Sequence, residues 1–548
     1  MIRVREIKVP LNDDYVKKYV ALKLKINKGE INNLKINKKS IDARKKEKIH
    51  YVYEVDIELR NEKNIKFSNN ILKTPKEEYK FNDFGNQKMD NRPVIVGAGP
   101  AGLFCAYILA ENGYKPIVIE RGEQVEKRVE IVSKFWETGK LDKNTNVQFG
   151  EGGAGTFSDG KLNTLVKDKK FRMLKVFDTF IEMGAPIEIK YLNKPHIGTD
   201  LLRNVIINMR NKIIQMGGEF KYNTLMTDII IDDNNIQKIV LNDEKIINTD
   251  VLVLAIGHSS RDTIEMLYKK EIKMIPKSFA MGFRVQHSQK MINKNQYGDV
   301  DLPPASYKLT HQVNGRGVYS FCMCPGGYVV NSSSEENRMV VNGMSNHLRD
   351  SGVANSAIVV TISPNDFGSH PLDGVKFQRK VEEKAYEIGK CNIPVQLYKD
   401  FKNNKVSESL DNCVYAFKGK FSLSNLVNIY PSYVNEAFVD AMEHFDKKIK
   451  GFAADNVIIA APESRTSSPV RIERDENLES SIKGIYPCGE GAGYAGGITT
   501  SAMDGIKVAE AIMSKYKKWI NKFYTFHYNN RSVIKWIYFG NCLKKLGK

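Results

Sequence analysis

The sequence predicts an α/β protein in three parts: a parallel β-sheet covered by helices, a β-rich α+β domain inserted into it, and a small α+β module in front. Three observations carry this prediction. Short apolar strand-and-turn patterns recur at residues 94–99, 251–257 and 484–489, and such runs are typical of parallel strands buried on both faces. An alanine-rich helical pattern follows the first of them. The long stretch between the last two alternates like β-strands and is rich in Gly and Pro, which indicates a separate inserted domain.

The chain is too long for one hydrophobic core, because single cores stop growing near roughly 250–300 residues. We therefore expect several domains. The expected parts are an N-terminal basic module at 1–85, the parallel-sheet domain at 91–270 and again at 456–514, an inserted substrate or cap domain at 271–455, and a basic aromatic tail at 515–548.

The net charge of +19 is concentrated at the two ends of the chain. Residues 1–90 carry +8 and residues 515–548 carry +9, which leaves +2 for everything between them. A charge confined to the ends concerns solubility or local partners. Seven cysteines, an odd number, do not form the pattern of a disulfide framework. Without a secretory pattern or an apolar run of roughly 18–20 residues, we expect a cytoplasmic protein with no integral membrane segment.

The N-terminal module is expected to contain a strand at Met1–Val9, a helix from Asp13 to Leu24 and a half-buried strand at Ile49–Leu59. Residues 61–92 are polar and indicate a linker. The basic stretch Lys38–Lys48 suits a solvated loop better than an RNA contact, because no aromatic platform or helix-turn-helix pattern accompanies it.

The first glycine motif, residues 97–102 (GAGPAG), follows the apolar strand directly and has the form G-x-G-x-x-G. Gly97 permits a tight turn, Gly99 lets a pyrophosphate approach the backbone, and Gly102 lets the helix pack close to the strand. The helix N-terminus offers N–H groups and a partial positive charge to phosphates. Glu120 suits the hydroxyls of an adenosine ribose and would repel a 2′-phosphate. The motif predicts a Rossmann-like dinucleotide site, which also includes Pro100, Ala101 and Arg121.

A second glycine-rich segment, residues 484–493 (GIYPCGEGAG), predicts a strand that delivers an acidic side chain before a helix at Thr499–Tyr516. This pattern resembles the second FAD signature of the glutathione-reductase-like flavoproteins. The resemblance implies that Glu490, where that superfamily usually has Asp, binds the ribityl chain, and that the helix end faces the pyrimidine edge of the flavin. The residues that it assigns to FAD here are Gly489, Glu490, Gly496, Gly497 and Ile498.

Two further segments agree with FAD. Residues 250–257 (DVLVLAIG) resemble the strand that passes beneath the adenine in the same superfamily, which adds Ala255 and Gly257 to the site. Residues 150–155 form a glycine-dense loop that suits backbone contact with the flavin or its pyrophosphate through Gly153 and Gly155. Lys161 either neutralises a phosphate or an acidic substrate, or is solvated.

No second strand–G-x-G-x-x-G–helix unit occurs in the sequence, so the separate NAD(P)H domain of the disulfide reductases is missing; NAD(P)H or another electron partner could bind elsewhere. Residues 146–164, 320–327 and 462–474, together with the N-terminal module, are similar to those of an uncharacterised family of bacterial FAD-dependent (NAD(FAD)-utilizing-like) dehydrogenases. This resemblance implies the fold and the cofactor and leaves the reaction open.

Cys322 and Cys324, in the segment SFCMCPGG, are the first candidates for chemistry. They form either a redox relay to the flavin or two packed thiols in a buried turn, because the usual redox spacing is C-x-x-C at a helix N-terminus. No Cys or His pair offers metal-ligand spacing around them, so we expect no metal.

Four basic residues are the second candidates. Arg284 and His287 belong to an alternating strand pattern of the inserted domain, and Arg465 and Arg471 to the segment that returns from it. Arginines suit a carboxylate substrate, and the histidine suits a proton donor or acceptor. Structural ion pairs and a satisfied core histidine are the alternatives.

We therefore expect an FAD-dependent oxidoreductase that transfers a hydride between flavin N5 and a small organic substrate, for which a carboxylate is one option. Two other classes stay open: a flavin-dependent RNA-modifying protein that uses the basic module, with nucleic acid the less favoured partner, and a redox sensor. The C-terminal tail suits either peripheral membrane attachment or a docking extension. No motif specifies the oligomeric state.

Overall fold

The computed structural model describes residues 1–62, 65–164 and 166–518. Most of the basic aromatic tail expected at 515–548 therefore lies outside the described residues.

The N-terminal module is a four-stranded antiparallel sheet with one helix, in the strand order β2-β3-β1-β4. Its elements are β1 (Ile2–Pro10), α1 (Val16–Leu24), β2 (Ile31–Asp42), β3 (His50–Leu59) and β4 (Ile71–Lys73).

Two parts of this module differ from the sequence-based expectation. The polar stretch expected as a loop before residue 49 contains β2, which pairs with β3 as an edge strand; there its Lys and Asn side chains reach solvent. The expected linker contains β4, which pairs with β1. The module also contacts the main body, since Lys39 N donates to Tyr191 O at 2.7 Å.

The next part of the chain carries the parallel sheet and its helices. Its elements are β5 (Val94–Val96), α2 (Pro100–Glu111), β6 (Ile117–Ile119), α3 (Val125–Thr138), α4 (Arg172–Glu182), α5 (Thr199–Gln215), β7 (Glu219–Lys221), β8 (Met226–Asp232), β9 (Asn235–Leu241), β10 (Lys245–Asn248), β11 (Leu252–Leu254) and α6 (Arg261–Lys269).

The remaining elements begin with the inserted domain and end with the return to the parallel sheet. They are β12 (Met274–Pro276), β13 (Phe279–Ser288), α7 (Gln289–Tyr297), β14 (Thr310–Val313), β15 (Arg316–Cys324), β16 (Tyr328–Asn331), β17 (Val341–Met344), β18 (Val353–Ile362), α8 (Pro364–Phe367), α9 (Asp373–Ile388), β19 (Ile393–Leu397), α10 (Tyr398–Lys402), β20 (Phe417–Lys418), β21 (Phe421–Leu423), α11 (Ser432–Asp446), β22 (Ile458–Glu463), β23 (Val470–Ile472), β24 (Ile485–Pro487) and α12 (Ile498–Lys515).

The central sheet has five parallel strands in the order β24-β11-β5-β6-β7. Its middle strands are buried on both faces, as their apolar sequences predict. Helices α2 and α12 cross above it in close contact. A Cβ at Gly505 would lie 2.1 Å from Ala101 O, so only glycine fits there. The observed architecture is the α/β, Rossmann-like fold with an inserted β-rich domain that the sequence predicts.

The inserted domain is built on a seven-stranded sheet in the order β14-β15-β18-β13-β22-β19-β21. Strand β22 lies inside this sheet, between β13 and β19, so the insertion extends to about Glu463 and passes the boundary expected at residue 455. The physical reason is that the apolar strand beginning at Ile458 hydrogen-bonds on both edges. Strands β12 and β23 pair where the chain enters and leaves the insertion.

Among the described helices, none is both long and apolar enough to cross a membrane.

Candidate cofactor and substrate site

A cavity of about 350 Å³ lies at the carboxyl ends of the parallel strands, between their turns and the inserted domain. Open α/β sheets bind ligands at this edge. Most of the sequence-predicted site residues lie on its wall: Gly97, Gly99, Pro100, Ala101, Glu120, Arg121, Gly153, Gly155, Lys161, Ala255, Gly257, Cys322, Arg465, Glu490, Gly496, Gly497 and Ile498.

The glycines of the first motif are required by close backbone packing. Gly97 has φ +104°, and a Cβ there would lie 2.3 Å from Ala255 O. Gly102 is not on the cavity wall; its Cβ would lie 1.8 Å from Gly97 O, so its role is to let α2 approach the strand. The nearest atom to a Cβ at Gly99 is Gly153 Cα, at 3.8 Å. The two glycine backbones therefore pack against each other, since a Cβ at Gly153 would lie 3.1 Å from Gly99 Cα, and both line the cavity.

Glu120 is buried, and its carboxylate accepts hydrogen bonds from the backbone N–H groups of Ala98 (2.9 Å), Gly122 (3.0 Å) and Gly150 (2.9 Å). It thus joins the glycine turn after β5 to the glycine-dense loop. A carboxylate accepts about four hydrogen bonds, so it retains capacity for a ribose hydroxyl. Beside it, the Arg121 guanidinium lies 4.3 Å from the centre of the Phe149 ring and pairs with Asp262.

Arg128 holds the glycine-dense loop in place, and its neighbours in the sequence do not indicate this role. Its side chain has no exposed surface. Burial lowers the pKa of its guanidinium to about 9. The guanidinium donates to the backbone carbonyls of Asn146, Val147, Gly150, Glu151 and Gly153, and to Thr156 Oγ1.

The second helix end on the cavity belongs to α12. Gly496 and Gly497 lie directly before it, and a Cβ at either position would meet no atom within 4 Å, so their α-carbons face open space. Gly489 does not line the cavity. Its left-handed φ of +74° turns the chain so that the next residue, Glu490, lines the cavity. Burial raises the pKa of Glu490 to about 7; nearby Cys322 also raises it, and Lys277 opposes the shift.

These features fit FAD. Where Gly99 and Gly153 line the cavity, the wall has no side chains, so a pyrophosphate can approach the backbone. The helix N-termini of α2 and α12 both reach the cavity and offer positive ends to negative charge. The acidic side chains Glu120 and Glu490 lie at separate places on the same wall, as a dinucleotide with a ribose and a ribityl chain requires.

The wall opposite these turns carries the two-cysteine segment. Cys322 lies on the cavity with Phe321 and Asn342, whereas Cys324 is buried behind them. Lys161 Nζ lies 3.9 Å from Cys324 Sγ. The hydrogen bond with the Cys324 thiol, followed by the positive charge of Lys161, holds the pKa of Cys322 well below its usual range.

Lys161 belongs to a charged cluster that the sequence pattern did not reveal. Its Nζ lies 3.1 Å from Asp159 Oδ2, and Arg349 Nη2 lies 2.6 Å from the same oxygen. Two cations therefore share one buried carboxylate, which leaves the cluster with one net positive charge beside the cavity. Asp159 lies in a segment that the sequence singles out, but Arg349 comes from a loop distant in sequence.

Arg284 and His287 lie in the core of the inserted domain and not on the cavity wall. Arg284 forms a two-armed ion pair with Glu463 (2.9 Å each) and donates to Cys322 O at 3.1 Å. His287 Nε2 is 2.8 Å from Phe452 O, and burial lowers its pKa to about 4. Arg284 therefore forms an ion pair beneath the cysteines, and His287 is a core histidine that stays neutral at physiological pH. These structural roles are the alternatives to substrate binding and proton transfer that the sequence left open.

Arg465 reaches the cavity, but its guanidinium is already engaged. It donates to Glu382 at 2.8 and 3.0 Å and to Ser334 at 2.6 Å. Arg471 is not on the wall; it lies over the Tyr494 ring at 5.2 Å. Arg465 therefore has no free guanidinium fork for a carboxylate, and Arg471 does not line the cavity. No group of three or more His, Cys, Asp or Glu among the described residues is arranged to hold a metal ion.

Three family models match the chain. Residues 278–466 match a model described as FAD-dependent protein, C-terminal domain-like; residues 95–125 match an NAD(P)-binding Rossmann-like domain; residues 1–58 match a domain of unknown function. The first match ends three residues after β22, so it includes every strand of the seven-stranded sheet.

The chain also resembles whole proteins. An uncharacterized protein of Clostridium beijerinckii is 48% identical over 535 residues, which cover 94% of this chain and 99% of that protein. Among solved structures, the FrdA chain of E. coli quinol fumarate reductase is 12% identical with a TM-score of 0.35, over 78% of this chain and 71% of that one. Glycine oxidase from Bacillus cereus is 12% identical with a TM-score of 0.30, over 78% and 99%. The two structural likenesses are too distant to inform substrate or mechanism. The near full-length identity and the FAD-dependent domain show that the chain belongs with the Clostridium protein to one family of FAD-dependent proteins, and that its cofactor is FAD.

Proposed function

We propose that the protein transfers a hydride between flavin N5 and a small organic substrate held against the inserted domain. The observation that carries the proposal is the composition of one cavity: glycine turns and two helix N-termini form one wall, and polar side chains of the inserted domain form the other. FAD, when bound, supplies a two-electron acceptor or donor.

The chain's own residues have separable roles in this proposal. Gly99 and Gly153 hold the pyrophosphate by backbone contact, Glu120 binds the adenosine ribose, and Glu490 binds the ribityl chain. The N-terminus of α12 stabilises negative charge on the reduced cofactor. The inserted domain covers the reacting face and excludes water.

The net positive charge of the cluster around Lys161 favours an anionic substrate. Because Asp159 is shared with Arg349, Lys161 keeps unbalanced charge at the cavity wall, and its side chain is 32% exposed. A carboxylate would gain a charge-assisted hydrogen bond there. Lys161 therefore replaces Arg465 and Arg471 as the residue to which we assign substrate recognition.

The test is anaerobic photometry of the FAD-loaded protein with NADH, NADPH, dithiols and small carboxylic acids, each acid paired with its amide. We expect an acid, and not its amide, to bleach the flavin band. Lys161→Met should raise KM for that acid at unchanged flavin content, whereas Lys277→Met, which removes a cation near Glu490 instead, should not. Bleaching by acid and amide alike would contradict the anionic substrate.

The basic N-terminal module does not lead us to propose a nucleic-acid function. Part of its basic strand β2 already contacts other residues of the protein. The Lys39 backbone hydrogen-bonds to the main body, and the Lys39 ammonium lies 4.3 Å from the centre of the Tyr51 ring. No observation in the described residues favours a redox sensor over an enzyme.

A further inference from the structure

The two-cysteine segment lies at an irregularity in strand β15. Between Phe321 and Cys324 the strand contains one residue more than its partner β18, and Cys322 adopts a left-handed φ of +44°. This conformation is unfavourable for a residue other than glycine. The turn that it makes directs the Cys322 side chain to the cavity wall while Cys324 stays behind it.

The same turn keeps the two thiols together. Cys324 Sγ donates to Cys322 O at 3.2 Å, and the neighbouring Cys324 thiol favours the thiolate of Cys322 by lowering its pKa. Two cysteines one residue apart at a bulge, with the thiol of one hydrogen-bonded to the backbone of the other, are positioned for a sulfur–sulfur bond after a small local movement.

The charges around the pair suit one thiolate. Lys161 and Arg349 share Asp159, which leaves one positive charge, and Lys161 Nζ is 3.9 Å from Cys324 Sγ. Beneath the pair, Arg284 is neutralised by Glu463, and it donates to Cys322 O. A thiolate is the reactive form in disulfide chemistry, and neighbouring cations stabilise it.

We propose that Cys322 and Cys324 are a redox-active dithiol that exchanges two electrons with the FAD of this cavity. In the oxidising direction the S–H bond of Cys324 breaks and one S–S bond forms with the Cys322 thiolate, and the two electrons and one proton pass to FAD, which becomes FADH⁻. The reverse reaction consumes FADH⁻ and restores the thiol and the thiolate. The inference rests on the proposed placement of FAD, and it gives the protein four reducing equivalents where flavin alone would hold two.

The pair also links the redox state to substrate binding. In the reduced state the thiolate offsets part of the positive charge of the cluster around Lys161. Formation of the disulfide removes that negative charge, so Lys161 attracts an anionic substrate more strongly. The oxidised protein should therefore bind carboxylates more tightly than the reduced one.

The deciding experiment is an anaerobic dithionite titration of the oxidised, FAD-loaded protein. We expect four electrons per FAD in the native protein, two in the double variant Cys322→Ser/Cys324→Ser, and four in the matched control Cys391→Ser, which removes an exposed cysteine instead. Uptake of two electrons by the native protein would overturn the proposal.

A thiol count gives a second readout that depends on neither a variant nor a substrate. After denaturation, the oxidised protein should release two fewer reactive thiols than the reduced protein, and the missing pair should be found as a disulfide in the peptide containing residues 320–327. Equal counts in the two states would also overturn the proposal. Neither the dithionite titration nor the thiol count needs a substrate. If no carboxylic acid bleaches the flavin, the proposed substrate is contradicted while the dithiol can still be tested.

Discussion

At the scale of single residues, the site depends on positions where a side chain has no room or an unusual charge. The glycine motif illustrates the first kind of position. Gly97 and Gly102 are glycine because protein atoms occupy the space of a side chain, whereas a Cβ at Gly99, on the cavity wall, would have its nearest neighbour at an ordinary contact distance of 3.8 Å. Of these three glycines, Gly99 is therefore the one whose substitution disturbs the packing least while it obstructs the cavity.

Gly99→Val should fold and lose FAD. Residue 99 has an extended backbone (φ −78°, ψ −177°) that valine adopts readily, and the branched side chain would extend from the cavity wall beside Gly153. We expect FAD affinity to fall at least about tenfold, equivalent to about 1.4 kcal/mol, at an unchanged melting temperature of the apoprotein. The control is Gly29→Val on the exposed turn of the N-terminal module, where a Cβ would lie 3.5 Å from its nearest neighbour. Equal FAD content in both variants would refute the placement of the pyrophosphate.

Glu490 should make the stability of the apoprotein depend on pH. Its pKa is about 7 in the folded chain and about 4.5 when unfolded, because burial disfavours the charged form. A group with a raised pKa stabilises the fold below its unfolded pKa, and this contribution is lost as the pH rises through the folded pKa. The native apoprotein should therefore lose stability between pH 4.5 and 7 relative to Glu490→Gln. If the melting temperatures of the two proteins change with pH in the same way across that range, the raised pKa of Glu490 is contradicted.

At the scale of elements, the loop at residues 146–157 shows how one side chain can organise a binding surface. It forms no long regular element, and its carbonyls converge on the buried guanidinium of Arg128. A second residue, Arg203, lies 5.5 Å from the Phe157 ring of the same loop.

Arg128→Met should loosen this loop. The substitution leaves buried carbonyls without donors, each of which costs roughly 1–3 kcal/mol, so we expect a loss of at least about 3 kcal/mol in the free energy of unfolding. Hydrogen exchange at residues 146–157 should accelerate, and FAD affinity should fall. Arg203→Met, which removes the contact with the ring, should change exchange little. Similar protection in both variants would show that Arg128 does not hold the loop.

At the scale of the whole molecule, the nucleotide-binding part and the insertion are joined by a buried ion network. Glu382 of α9 accepts hydrogen bonds from Arg261 of α6 (2.8 Å) and from Arg465 on the returning chain (2.8 Å). These two arginines, from the chain segments just before and just after the insertion, meet at one carboxylate of the insertion. They hold the pKa of Glu382 well below its usual range against the cost of burial.

Glu382→Gln should destabilise the whole protein. It leaves the two buried arginines with Glu335 as their one remaining carboxylate, at 2.6 Å from Arg261 and 3.4 Å from Arg465, and breaking a buried pair costs about 3–5 kcal/mol. Glu383→Gln is the matched control, because Glu383 is 46% exposed and pairs with Arg338 at the surface, where such pairs contribute about 0–1 kcal/mol. Urea unfolding followed by circular dichroism measures both. Equal midpoints would mean that the network does not join the domains.

The sequence by itself determined the features whose cause is local. The strand–glycine–helix unit at residues 94–111, the acidic tips at Glu120 and Glu490, and the apolar parallel strands follow from backbone sterics and strand burial, which neighbouring residues specify. These features were enough to predict the α/β fold and FAD.

Only the tertiary structure decided the features whose cause is a contact between distant segments. Whether Arg284 is an ion-paired core residue or a ligand depends on Glu463, 179 residues away. The loop-holding role of Arg128 and the sharing of Asp159 by Lys161 and Arg349 are equally invisible in the local pattern. The lysine-rich strand β2 was expected as a loop because edge pairing with β3, and not its own composition, holds it in the sheet. Charge and pairing act through space, so the candidate chemistry of this protein became visible only when the chain was folded.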